Sequence, residues 1–321
     1  MIARIGALVV AVSLIVGALV LRSHHDAEIK RGPYRLTCAS ELADACRAMS
    51  TRNVTVTVEP AGVTADRLVG LAAGADTGFD GWLAAGPWAA MVAEARQAAT
   101  REPVTGATRS IGWTRVALAV WRDRGVALRT ACSGPLTWRC VGDAAARGAW
   151  SASGGRPEWG VVKVALADPV TESTGLVGLA AATAGFTGSA AFVPVDLTEN
   201  DAYQRWLAGL AKAIPRPSPG IVPILTSGPS VADVYVGLEA EIRAVLRTAA
   251  RQSDIEVVNL SPVFAVDAAL TEPARDPRPV PGGLADAVHA AGWLDRMAAT
   301  ENLPPSGALA GLRQLWRDTI R

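Results

Sequence analysis

Histidine is scarce in this chain: of 321 residues, three are histidine, His24, His25 and His289. The first two border the N-terminal apolar segment, so one is left for the interior, which argues against His-based metal sites and Ser-His-Asp catalysis. G-x-S-x-G, a P-loop and H-E-x-x-H are all missing, and the sequence reads as a non-enzyme. Formal net charge is +1 and basic residues are scattered, so there is no nucleic-acid footprint. No C-x-x-C element accompanies the four cysteines, which speaks against a four-cysteine zinc site. There is no internal repeat, and no cofactor or metal is expected.

What is present begins with Ile5 to Leu21, apolar or small throughout except for Ser13, with Arg4 before it and Arg22, His24 and His25 after it. The run is short for a span of roughly 20 residues and longer than a signal core of roughly 7–15. The expectation is an uncleaved anchor over 1–22 with a tether over 23–33, the alternative being a cleaved signal. Both put the body outside the cytoplasm, either on the cell membrane or secreted. Cysteines Cys38, Cys46, Cys132 and Cys140 fit an exported chain as disulfides. Three connectivities are open; Cys38–Cys46 and Cys132–Cys140 close the shortest loops and are favoured.

Strands and helices alternate along the chain. Strands are predicted at 34–38, 54–58, 82–85 and 115–121, with helices at 41–49, 64–73, 88–98 and from 135 to about 147. Val161 to Ala167 reads as a strand buried on both faces, stopped by Asp168-Pro169. The hydroxyl-rich turn Thr171, Ser173, Thr174, Gly175 then enters an Ala- and Leu-rich helix. An amphipathic helix follows at 201–213, then a strand at 221–225, a long helix at 231–251, a strand at 255–260, a Pro-rich loop at 271–283 and C-terminal helices at 284–297 and 308–317. This βα order implies a mostly parallel sheet with helices on both faces. Four predicted strand ends carry small or hydroxyl residues: Cys38-Ala39-Ser40, Ala84-Ala85-Gly86, Thr171 to Gly175, and Ser227 to Ser230. Ligands of open α/β sheets bind outside such carboxyl ends.

The segments YRLTCASEL (34–42), VTVTVEPAG (54–62), ADRLVGLAAGADTGFDGWLAAGPWAAMV (65–92), RVALAVW (115–121), Leu136-Thr137-Trp138 and VKVALADPVTESTGLVGLAAA (162–182) carry a resemblance. Together they resemble type II periplasmic solute-binding proteins of ABC transporters. The likeness is to the molybdate-binding branch and to actinobacterial solute-binding domains found beside von Willebrand A domains. It implies a two-lobed α/β fold with two hinge crossovers: lobe one over 34–118 plus 258–321, lobe two over 119–257. It also implies hinge closure on a small ligand and a membrane permease or another envelope protein as partner. The chain departs from the family in having no lipobox cysteine and in placing Cys38 where the first ligand turn begins.

The candidate ligand residues are Ala39, Ser40, Trp82, Ala85, Thr171, Ser173, Thr174, Ser227 and Ser230. Each has a plainer reading beside it. Ser40 suits a helix N-cap, the 173–175 turn suits capping, and any one of the ten tryptophans suits core packing. The functional expectation is an extracytoplasmic, membrane-tethered protein binding a small polar or anionic solute between its lobes. The alternative is a degenerate binding fold serving as an envelope sensor or interaction domain.

Overall fold

The computed structural model describes residues 32–297 and 302–320. In chain order the first half contains β1 (Tyr34–Cys38), α1 (Ala43–Ala48), β2 (Val54–Val58), α2 (Ala61–Gly70), β3 (Gly81–Ala85), α3 (Trp88–Ala98) and β4 (Thr105–Trp121). Next come α4 (Arg122–Cys132), α5 (Trp138–Arg147), β5 (Val164–Leu166), α6 (Ser173–Thr187), α7 (Pro194–Thr198), α8 (Asp201–Ala213) and α9 (Ile221–Ser227). The chain ends with β6 (Val234–Leu238), α10 (Glu239–Leu246), β7 (Ile255–Val258), β8 (Ala265–Pro273), α11 (Leu284–Ala290) and α12 (Ser306–Thr319).

The strand order is β2-β1-β3-β8-β4-β6-β5, with β7 also on β4. Pairs β1·β2, β1·β3 and β5·β6 are parallel. Every antiparallel pair involves β4 or β8, and β4 is the strand that runs between the halves. Thr105 to Arg115 of β4 pairs with β8, whereas Val116 to Trp121 pairs with β6 on one edge and β7 on the other. One strand thus serves two sheets, and the chain folds as the expected two-lobed α/β structure. The apolar stretch 115–121 announces only the second part of β4. The first part, TGATRSIGWT, is largely exposed and carries no such signal.

The core follows from these strands. Helix α6 is buried along its length from Ser173 to Ala184 and packs against β4, β5 and β6. The first turn of α6 lies tight on the end of β5: a Cβ on Gly175 would stand 2.3 Å from the Ala167 carbonyl oxygen. A second apolar cluster, with Ala117, Trp121, Ile224, Tyr235 and Ile242, covers the other face of the second sheet.

Three expectations are corrected. Residues 221–225 are helical, since a short apolar run does not distinguish strand from helix by periodicity. The long helix at 231–251 is instead strand β6 followed by α10, because Val234-Tyr235-Val236 sits buried between α6 and the second cluster. The loop expected from 271 starts later, as β8 runs through Pro273. The single-pass membrane placement is also withdrawn: no helix among the described residues is long and apolar enough to cross a membrane. The segment on which it rested, 1–22, lies outside the described residues, as does most of the 23–33 tether.

Both favoured disulfides are present. Cys38–Cys46 ties the end of β1 to α1, and Cys132–Cys140 ties α4 to α5. Replacing Cys132 and Cys140 together by serine is expected to cost about 2–3 kcal/mol, through greater freedom of the unfolded chain. Urea denaturation would read this as a lower midpoint; an unchanged midpoint would contradict it.

Candidate functional site

The carboxyl ends of β1 and β3 in the first half face those of β5 and β6 in the second. At the end of β1, residues Ser40–Leu42 form one turn of 3-10 helix that directs Glu41 inward. Its Oε1 accepts the Ala85 N–H at 2.8 Å, at the end of β3. Its buried carboxyl also takes the Ser173 hydroxyl as a donor. Across the seam stand Glu172 and Ser173, at the start of α6. The Ser173 hydroxyl, wholly buried, accepts the Trp88 Nε1–H at 2.9 Å from the first half. Past the end of β6, buried Glu241 accepts the Tyr235 hydroxyl at 2.8 Å, and the Leu238 N–H also acts on its carboxyl.

Electrostatics mark this seam. Burial lifts Glu41 from the usual 4.5 to about 7; its own N–H, the Ala85 N–H and Ser173 pull it back, and Glu172 adds to the rise. Glu172 is raised by burial and by Asp168, with the Ser40 hydroxyl opposing. Burial also raises Glu241 and Asp267, the latter on β8 beside the Ala85-Gly86 turn.

A second set of contacts bolts the seam from outside. Arg313 of α12 donates from Nε to the Val170 carbonyl at 2.6 Å and from Nη2 to the Gly62 carbonyl at 3.3 Å. Its fork also grips Asp66 at 2.7 and 2.8 Å. The Gly62 N–H donates to the Thr171 carbonyl at 2.8 Å. Only glycine fits there, because a Cβ would lie 2.4 Å from the Val170 carbonyl oxygen. Gly62 and Asp66 belong to α2 of the first half, Val170 and Thr171 to the turn after β5, so one guanidinium spans both.

No protein-family model matches the chain, and no curated protein matches it in sequence. Solved structures do match. Iron-bound HitA from Pseudomonas aeruginosa aligns with a TM-score of 0.53 at 11% identity, over 89% of this chain and 99% of that one. The periplasmic binding protein AfuA from Actinobacillus pleuropneumoniae, with fructose-6-phosphate bound, aligns with a TM-score of 0.51 at 12% identity, over 90% and 96%. The chain has the fold of the two-lobed periplasmic binding proteins. At this identity the likeness extends to the fold alone.

Within that fold the expected site residues divide. Ser40, Ala85, Thr171 and Ser173 meet at the seam, with Ala39 and Thr174 beside them. Ser40 is exposed and makes no helix cap; the residue before the turn, Ala39, is the N-cap and has no side-chain cap bond. Ala39 and Ala85 are fully buried, and Thr174 is buried. The Thr171 hydroxyl turns to Asp168. Trp82 is buried in the first half's core, its Nε1 unpartnered. Ser227 and Ser230 fall elsewhere. They precede β6, at the opposite edge of the sheet, where the Ser230 carbonyl accepts Lys163 Nζ. That correction follows from the strand lying at 234–238, so the strand end is Leu238 to Glu241. Sequence reasoning missed Glu41, Glu172, Glu241 and Arg313. The first two adjoin residues that were singled out, and Glu241 was hidden by the misread helix.

The raised carboxyl groups set a pH dependence. A carboxyl whose folded-state value exceeds its unfolded one stabilises the fold while protonated, and that stability drains as the unfolded chain ionises first. For Glu41 the loss runs from about pH 4.5 to about 7. Urea denaturation at pH 5 and pH 7.5 is expected to show a smaller fall in stability for Glu41→Gln than for the parent chain. Equal falls would contradict the assignment.

Proposed function

We propose that this protein is a solute-binding protein that closes its two lobes on a small polar ligand, of the kind that delivers to a membrane permease of an ABC transporter. One observation carries the reading: four strand ends, two from each half, meet at a seam where polar and ionisable side chains are gathered. The fold adds support, since its two halves join through β4 and through the return from β7 to β8, the two connections a hinge needs. The lobes are taken as 34–118 plus 258–321 and 119–257. Ser40, Thr171, Ser173 and Thr174 are the hydroxyls nearest this seam by chain position, and Glu41, Glu172 and Glu241 join them.

A second reading has its own observation. The seam is already filled by protein contacts: Trp88 on Ser173, Gly62 on Thr171, and Arg313 across both halves. A fold held shut this way would serve as an envelope interaction or sensor domain without a solute.

Small-angle scattering separates the two. Arg313→Ala removes the outer bolt while leaving the strand ends intact. On the solute-binding reading, this variant is larger in solution than the parent and contracts when a bound ligand closes it. A radius of gyration equal to that of the parent, unchanged by any solute, would support the interaction-domain reading.

A further inference from the structure

We propose that the protein holds a second small-molecule site, outside the strand-end seam, that takes an apolar α-amino acid as its zwitterion. The site is a cavity of about 310 Å³ between the turn after β5, the loop after α8 and the end of α12. It depends on neither reading of the seam, since none of Ser40, Glu41, Glu172, Ser173 or Thr174 lines it.

Local chain chemistry builds the walls. Ile214 is extended, the conformation favoured before a proline, so α8 stops at Ala213 and the chain leaves its axis. Ile214 and Pro215 then form one wall, and Leu166 and Pro169 of the β5 turn form another. Trp316 and Ile320, four residues apart at the end of α12, form the third. Helix α12 is tied to the first half by Arg313 on Asp66, at 2.7 and 2.8 Å. One turn before Trp316, the same Arg313 donates to the carbonyl of Val170, the neighbour of Pro169. The cavity therefore lies where the halves meet, against the outer bolt.

The polar groups decide the ligand. Two charged side chains line the cavity, Asp168 and Arg216. Arg216 makes no hydrogen bond or ion pair with any described residue. The Asp168 carboxylate accepts the Val170 N–H at 2.9 Å and the Thr171 hydroxyl at 3.4 Å, which leaves it lone pairs and no cation. Ser218 borders the same cavity, and its buried hydroxyl has no hydrogen-bond partner, an arrangement that is costly unless a ligand supplies one. A simple acid would match Arg216 and Ser218 but set its charge against Asp168. A simple amine would match Asp168 and leave Arg216 and Ser218 unused. A zwitterion serves all three: its carboxylate takes the guanidinium and the hydroxyl, its ammonium takes Asp168, and its apolar side chain lies on Leu166, Ile214 and Trp316. Ligand pockets run from roughly 300 to 1,000 Å³, so this one suits a molecule of amino-acid size.

Calorimetry on the full chain tests this with phenylalanine and leucine, set against phenylpropionate and phenethylamine, which keep the ring and carry one charge each. Phenylalanine or leucine is expected to bind, and the two single-charge analogues about tenfold or more weakly than phenylalanine. Affinity for the amino acid should fall about tenfold or more in Arg216→Gln and again in Asp168→Asn, as for the loss of a charge-assisted hydrogen bond. Both residues are exposed, and asparagine keeps an acceptor for the Val170 N–H, so both variants fold, which their melting curves check. An analogue that binds as tightly as phenylalanine, or a loss confined to one variant, would overturn the zwitterion. Binding unmoved by both substitutions would overturn the site. No binding of either amino acid would overturn the proposal, and the seam would be untouched by that result.

Discussion

Strand β4 is the constraint on which the rest of the molecule depends. Its first part belongs to the sheet of β1, β2, β3 and β8, and its second to the sheet of β5, β6 and β7. Because each sheet carries parallel strands, each has one edge where carboxyl ends collect. The shared strand turns those two edges toward each other. Polar side chains of β–α turns, which in a single-sheet protein would face water, are brought face to face and partly buried. The shared strand also connects the halves mechanically, and one apolar core runs through both.

The seam carries two kinds of interaction with opposite tendencies. Arg313, Gly62 and Trp88 draw the halves together through directional hydrogen bonds. Glu41, Glu172 and Glu241 set like charges against one another where burial penalises ionisation. A fold selected only for a tight interface would place apolar groups or paired ions there.

Much of this was legible in the chain. Strands β1 and β2 stand where alternation and apolar runs put them, and α3 and α8 match their predicted spans. Pairing the cysteines by shortest loop agrees with the structure. Less visible were segments whose identity is set by tertiary contact. The polar first part of β4 is a strand because β8 pairs with it. Segment 234–238 is a strand because β4 and β5 flank it, although its sequence also runs on smoothly into a helix. The hydroxyl-rich turn at 171–175 was correctly put at a strand end. Its acidic neighbours, Glu172 beside it and Glu41 from the first half, carry no local signal in the sequence. Nothing local marks Arg313, whose partners come from α2 and from the turn after β5.

Hydrogen exchange at the Gly62 amide tests the central claim most directly. This N–H lies in the first turn of α2, where a helix offers it no acceptor of its own, and its partner is the Thr171 carbonyl of the opposite half. Its protection therefore reports the seam and not the helix. If the halves open and close about β4, Gly62 exchanges much faster than the core amides of β4, and slows when a bound solute holds the seam closed. Exchange as slow as that of Leu118 in β4, and indifferent to ligand, would contradict the account.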